Sequence, residues 1–384
     1  MSSQGAGAIE IVAVNTPRQL SRFIRLPIDL HRGRGKWVAP LVLERQDVLS
    51  RKKNPYFRHA EMELFLALRD GRPVGRISAQ IDRNFLAKWG EGIGHFGFID
   101  GIDDATVFAA LLDAAEGWLR QRGMRHVYGP FSPTINDEPG ILVEGFDTPP
   151  MMMMAHAEPY HATHLAAAGY GKARDLFAYS YDTRREPSET VRRLVAKAES
   201  PRIVIRPMGK ASYAREVREV LEIFNEAWSD NWCSVALTEE EMEHLGKSMR
   251  PIVDRRLVWF AEVDGRVAGM VVVLPNVNEA IADLDGSLLP FGWAKLLWRL
   301  KVRGLKSARV PLMGIRREFA KMNVVGAALP FLLIDAMRRA AISAGYERAE
   351  LSWILEDNLP VRRVIEAFGG VPYKTYRIFE KAIA

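Results

Sequence analysis

The sequence holds one cysteine, Cys233, which excludes an internal disulfide framework and any cysteine-rich metal site. A lone thiol fits a reducing compartment. Long apolar runs are also missing: the longest, Val267–Pro275 and Val324–Ile334, fall short of the ~18 residues a membrane span needs, and Pro330 interrupts the second. The first residues, MSSQGAGAIEIVAV, lack the basic start and apolar core of a secretory leader. No zinc-finger, RRM or KH pattern occurs, which ranks nucleic acid last among partners. His156, His161 and His164 lack an HExxH frame, so no metal is expected. A cytoplasmic location is the expectation, with peripheral attachment to the inner face of the cytoplasmic membrane left open.

What remains is globular composition, 48% hydrophobic and 26% charged over 384 residues, enough for two or three domains. A net charge of +6 makes the surface attractive to anions. Coenzyme A, anionic lipid and nucleic acid would each satisfy it, as would an inert basic surface.

The chain reads as two halves with the same element order. In the first, Ile9–Val14 is a strand; Glu61–Leu68 and Val74–Asp82 flank an Asp70-Gly71 turn; Gly94–Ile99 follows, then the amphipathic helix Thr106–Arg122 and a strand from Val127. In the second, strand Ile203–Arg206 precedes helix Tyr213–Trp228, and Thr238–Glu241 is a capping box. Leu257–Val263 and Val267–Leu274 flank Asp264-Gly265; strand Arg309–Ile315, helix Gly326–Ala344, strand Glu347–Ile354, helix Pro360–Phe368 and strand Tyr373–Lys381 complete it. Hairpin, strand, helix, strand in each half predicts an α/β protein of two tandem mixed-sheet domains, 1–183 and 202–384, with a polar linker at 184–201.

The segment from Asn358 through Tyr376 (NLPVRRVIEAFGGVPYKTY) resembles the closing segment of the GNAT superfamily of acyl-CoA N-acyltransferases. Strand Arg309–Ile315, followed by a loop and the Gly326-Ala327-Ala328 helix start, is similar to the place where that superfamily binds CoA pyrophosphate. The physics agrees: a helix N-terminus offers unpaired N–H groups and a positive dipole end. Asn323-x-x-Gly326-x-Ala328 departs from the family's Gln/Arg-x-x-Gly-x-Gly/Ala in its first residue and its missing second glycine. Arg316, Arg317 and Lys321 stand beside it as phosphate partners. The competing reading is that Gly326–Ala328 serve close helix–sheet packing. The corresponding loop of the first half, Asp100–Asp104, is acidic and would repel pyrophosphate, so that half is expected not to bind CoA there.

Three further stretches, Gly129–Gly140, Asn225–Trp232 and Glu350–Asn358, resemble a nearly chain-long bacterial set of GNAT-like proteins that includes the bacterial ceramide synthases. That resemblance implies transfer of an acyl group from acyl-CoA to an amine acceptor, foremost a lipid amine such as a sphingoid base. A soluble acetyltransferase of a small amine or peptide, and a non-catalytic acyl-CoA-binding protein, are the alternatives.

Attack on a thioester needs a base, an oxyanion donor and an acid. Glu350 is the base candidate, on a strand whose alternation puts Glu350, Ser352 and Ile354 on one face and Leu351 and Trp353 on the other; pairing with Arg348 is its alternative. Asn358 matches the family Asn that contacts cofactor or water. The helix tyrosine found in many members is replaced by Ile365 or Glu366, leaving Tyr373 and Tyr376 as acid candidates. Asn136, Asp137 and Glu138 lie on a loop stiffened by proline and glycine, near His156 and Tyr160; His156 working with Glu138 is a second base arrangement. Trp228, Asn231 and Trp232 fall where the superfamily covers its acceptor pocket, with ring packing the bland alternative. Finally, 287–309 carries six basic residues and no acidic one, with Trp293, Leu296, Leu297 and Leu300 at helical spacing. This suits an interfacial helix on an anionic membrane, with Trp293, Leu297, Trp298 and Arg299 as contacts; the alternative is an extra helix packed on the core.

Overall fold

The computed structural model describes residues 7–209 and 213–383, without the side chains of 323 and 324. Thirteen strands are present among them: β1 Ile9–Ala13, β2 Ala60–Arg69, β3 Arg72–Asp82, β4 Ile93–Gly101, β5 His126–Gly129, β6 Ile141–Glu144, β7 Gly171–Asp182, β8 Ile203–Pro207, β9 Val258–Val263, β10 Arg266–Pro275, β11 Ser307–Ile315, β12 Arg348–Leu355 and β13 Val371–Ala382.

They build two compact units. In the first, β1 to β4 are successively antiparallel; β5 runs parallel to β4 and pairs antiparallel with the end of β13. In the second, β8 to β11 are successively antiparallel; β12 runs parallel to β11 and pairs antiparallel with Leu176–Asp182 of β7. Each is a mixed sheet of the same pattern. Local chemistry explains the hairpins: Asp70-Gly71 and Asp264-Gly265 adopt positive φ at both positions, the turn whose twist matches the flanking strands. Thr16 with Gln19 and Thr238 with Glu241 form capping boxes at helices Pro17–His31 and Glu239–Met249.

The units do not follow the two sequence halves. The first comprises Met1–Asp175, Ile281–Gly292 and Thr375–Ala384; the second comprises Leu176–Ala280 and Trp293–Lys374. Each finishes its sheet with a strand from the other half of the sequence. The stretch Gly171–Asp182, given no element from sequence, is the twelve-residue strand β7; its register with β12 pairs Ser180 with Glu350.

Candidate functional site

Two parallel strands part company in the second unit. β11 and β12 pair only over Ser307–Val310 and Arg348–Leu351. Beyond that, β11 continues to Ile315 on β10 and β12 continues to Leu355 on β7. Pro311 is the next residue of β11 and has no N–H to give the ladder. A wedge therefore opens at the carboxyl ends of two parallel strands, where ligands of open α/β sheets bind. Helix Asn323–Ser343 follows β11, and helix Leu359–Ala367 follows β12.

At the closed end of the wedge sits a buried polar cluster. Arg309 and Glu350 are opposite in register, and both side chains are 0% exposed. Arg309 Nε lies 3.7 Å from Glu350 Oε1 and donates to Ser352 Oγ at 2.9 Å; Ser352 Oγ donates to Glu350 Oε1 at 2.6 Å. Tyr373 donates its hydroxyl to the other carboxylate oxygen. Full burial with these partners corrects the expectation of Glu350 as a base open to substrate, and its partner is Arg309 rather than Arg348. Arg309, counted from sequence in the basic segment, is instead interior. A charged residue inside the strand Ser307–Ile315 was the legible signal, since such a charge needs a partner.

The alternation argument also fails at one point. The register of β12 slips between Leu351 and Ile354. Such a bulge re-aims side chains, and Trp353 lies over the Arg309 guanidinium, 4.2 Å to the ring centroid, beside Ser352 rather than opposite it. Tyr376, one of the two acid candidates, is fully buried in the first unit. Tyr373 is half-buried and belongs to the Glu350 cluster.

Asn358 caps helix Leu359–Ala367, its Oδ1 accepting from Val361 N at 3.4 Å. Arg362 donates to Tyr179 Oη at 2.9 Å, and Tyr179 donates to Glu366 at 2.9 Å.

The phosphate-loop residues divide. Gly326 is buried, and a Cβ there would meet Phe319 O at 2.5 Å and Ala320 O at 2.6 Å; this glycine is needed for close packing against the preceding turn. Ala327 is exposed and Ala328 half-buried. Asn323 opens the helix, but its side chain lies outside the described residues. Arg316 is held by Glu219, and by Glu226 at 3.1 Å; burial works against its charge, but these carboxylates outweigh it and raise its pKa. Arg317 bonds Glu226 through its N–H at 2.7 Å and reaches Asp230 at 2.6 Å. Both expected phosphate partners are thus engaged by acids of the region 219–230, which corrects their reading as waiting cations. Lys321 is exposed.

Trp228 packs against Phe224 with centroids 5.0 Å apart and the rings tilted by 36°, and it lies on β11 at Gly314, in the diverged stretch of that strand. Asn231 and Trp232 follow in a half-buried turn, Asn231 N donating to Trp228 O.

The first unit has the same splay, filled by its own chain. β4 and β5 pair only over Ile93–His95 and His126–Tyr128. Phe131 N then donates to Phe96 O at 2.8 Å, Ser132 Oγ accepts from Phe98 N, and Gln80 donates to Phe131 O and Pro133 O. Gly97 makes this possible: a Cβ would sit 1.8 Å from Phe131 O. The acidic loop is also occupied. Burial alone would raise the Asp100 carboxyl, but hydrogen bonds from His161 and His31 hold it well below the usual carboxylate range. Asp103 pairs with His164 at 2.8 Å.

The 136–138 loop is similarly committed. Asp137 accepts from Thr134 Oγ1 at 2.6 Å, Asn136 N donates to the Thr134 hydroxyl, and Glu138 pairs with Arg45. Glu138 is therefore held by a guanidinium rather than by His156. His156 is half-buried in an irregular segment. Tyr160 donates to Gly101 O at 2.8 Å; burial raises its pKa. Among the described residues no group of three or more His, Cys, Asp or Glu could hold a metal ion.

The basic segment forms helix Gly292–Trp298 and a wider turn through Arg303. Its apolar side splits: Leu296 and Leu300 pack on the second unit's core, while Trp293, Leu297, Trp298 and Val302 are 52%, 50%, 52% and 71% exposed. Arg299 donates to Ala280 O at 2.7 Å, so it anchors the segment instead of facing outward as expected. No helix among the described residues is long and apolar enough to cross a membrane.

Two mixed sheets of one pattern, each with a splayed parallel pair, define a tandem GNAT fold. Two solved structures share it: a tandem GNAT protein from the clavulanic acid biosynthesis pathway (TM-score 0.57, 15% identity, covering 98% of this chain and 99% of that one), and a GCN5-related N-acetyltransferase from Sphaerobacter thermophilus (TM-score 0.53, 13% identity, 98% and 96%). No family model matches the chain. It is 51% identical over 377 residues to the bacterial ceramide synthase of Caulobacter vibrioides (strain NA1000 / CB15N), covering 98% of each. It is 43% identical over 365 residues to protein YghO of Escherichia coli (strain K12), covering 95% of this chain and 93% of that one. The chain belongs to the bacterial ceramide synthase family and is an N-acyltransferase.

Proposed function

We propose that this N-acyltransferase takes its acyl group from acyl-CoA and delivers it to a lipid amine, such as a sphingoid base, at an anionic membrane surface. The observation that carries the reading is the wedge opened where β11 leaves β12 after Val310 and Leu351. The thioester lies in that wedge, and the diphosphate lies at the N-terminal turn of helix Asn323–Ser343, with Ala327 and Lys321 exposed beside it. In the first unit the Phe131 segment fills the corresponding space, so that unit binds no CoA there.

The neutral amine adds to the thioester carbonyl and its nitrogen becomes cationic; the C–S bond breaks, the thiolate takes one proton, and the nitrogen gives one up as the amide is released. Tyr373 is the half-buried member of the Glu350 cluster and supplies that proton; Glu350, fully enclosed, acts through it. Trp228, Asn231 and Trp232 border the acceptor side.

The lipid acceptor is supported by the exposed Trp293, Leu297, Trp298 and Val302 among Lys295, Lys301 and Arg303, which suit an interfacial contact on the cytoplasmic leaflet. The protein, long-chain acyl-CoA and sphinganine are incubated with anionic vesicles, and free thiol is measured. Thiol release well above hydrolysis is expected. No acceleration with any amine acceptor sinks the transferase mechanism and leaves an acyl-CoA-binding protein. Replacing Trp293 and Trp298 together by serine is expected to lower vesicle co-sedimentation about tenfold or more, since each exposed indole withdraws from an apolar phase. Undiminished co-sedimentation overturns this exposed face as the membrane contact.

A further inference from the structure

Trp353 carries an oddity that the proposed chemistry explains. Its indole Nε1 is buried yet finds no hydrogen-bond partner among the described residues. A buried donor without an acceptor is costly, and native structures rarely leave one without a reason. The position is also unusual. Trp353 is the second residue of β12 past its last pairing with β11, within the slip between Leu351 and Ile354. The bulge lays its ring on the guanidinium of Arg309, which Ser352 fixes from the same side through its hydroxyl at 2.9 Å and its carbonyl at 3.2 Å. Arg309 is thereby locked, and it in turn fixes the indole plane. A rigid N–H, next to a buried positive charge and two residues past the last β11–β12 pairing, is what a developing oxyanion requires. Glu350 belongs to the same cluster but is an acceptor, and it orients the Tyr373 hydroxyl, the proton donor of the proposed reaction.

We infer that the Trp353 indole N–H is the donor that receives the thioester carbonyl oxygen. That oxygen accepts the hydrogen bond in the bound acyl-CoA, becomes anionic as the amine adds, and returns to a carbonyl when the C–S bond breaks. The proton of Nε1 is never transferred. The inference rests on acyl-CoA occupying the wedge of the second unit.

The test compares wild type with Trp353→Phe, which keeps a ring over Arg309 and removes the N–H. Thiol release with long-chain acyl-CoA and sphinganine is expected to fall in kcat by on the order of 100-fold, the usual loss for one oxyanion donor, with KM for acyl-CoA changed by less than about threefold. Binding of two inert analogues separates a hydrogen bond from packing: a ketone in which CH2 replaces the thioester sulfur, and an S-alkyl-CoA thioether without the carbonyl. Wild type is expected to favour the ketone, by several-fold for one neutral hydrogen bond, and Trp353→Phe to bind both alike. If the phenylalanine variant does not fold, benzothienylalanine placed at 353 keeps the bicyclic shape and removes only the N–H. Retention of kcat within about threefold, or equal weakening of ketone and thioether binding, overturns the assignment while leaving acyl transfer intact. A wild-type protein that binds neither analogue and releases no thiol overturns the acyl-CoA reading itself, and this assignment with it.

Discussion

Glu350→Ala is expected to destabilise the second unit by about 3–5 kcal/mol, the usual cost of leaving one member of a buried ion pair alone. The magnitude follows from Arg309, which is 0% exposed and cannot turn to water when its carboxylate is removed. Ser352 and Tyr373 would lose an acceptor at the same time. Hydrogen exchange in Ser307–Val310 and Arg348–Leu351 is the measurement of choice, because two units make a single unfolding midpoint ambiguous. Both strands should lose protection together. The companion change Arg309→Met removes the stranded charge, so the pair Arg309→Met with Glu350→Leu should recover most of the loss. A single Glu350→Ala with protection within about 1 kcal/mol of wild type, a typical hydrogen-bond contribution, contradicts this account of the cluster.

Gly97→Ala carries the second large effect, in the first unit. Its new Cβ would stand 1.8 Å from Phe131 O, a backbone atom. Relief would require moving the segment held by Phe96 O, Phe98 N and Gln80 Nε2. Overpacking of a well-packed interior ordinarily costs about 1–3 kcal/mol; a pinned backbone puts this substitution at the upper end or beyond. Exchange protection of β3 and β4 should drop while that of β11 and β12 stays. An alanine variant with wild-type protection throughout would mean that the Phe131 segment yields without cost, and the idea that it permanently fills the first wedge would go.

What the sequence made legible was local. The Asp-Gly turns, the Thr238–Glu241 box and the helix started by Asn358 each depend on residues within a few positions of one another, so their chemistry shows in the string itself. Long-range pairings were not visible. Nothing adjacent to Gly171–Asp182 announces that Leu176–Asp182 pairs with β12. Glu350 was picked out, but its partners Arg309, Ser352 and Tyr373 come from three strands. The strand alternation that placed Trp353 opposite Ser352 assumed an unbroken pleat, and the bulge breaks it. The embrace of Arg316 by Glu219 and Glu226 was partly legible in the acids at helical spacing on Tyr213–Trp228, since cations opposite relieve the repulsion within such a stripe.

The exchange of sheet strands bears on how the chain comes into being. A ribosome delivers residues 7–175 long before Thr375 emerges, yet Phe379–Ala382 form the ladder that covers β5. Until then the nascent first unit exposes a raw edge, the kind that recruits stray partners, and its maturation waits on the last turn of translation. Cutting the gene at the linker would orphan both pieces: one fragment would lack the neighbour of β5, the other the flank of β12 beside Glu350. The two units are therefore inherited, expressed and lost as one object.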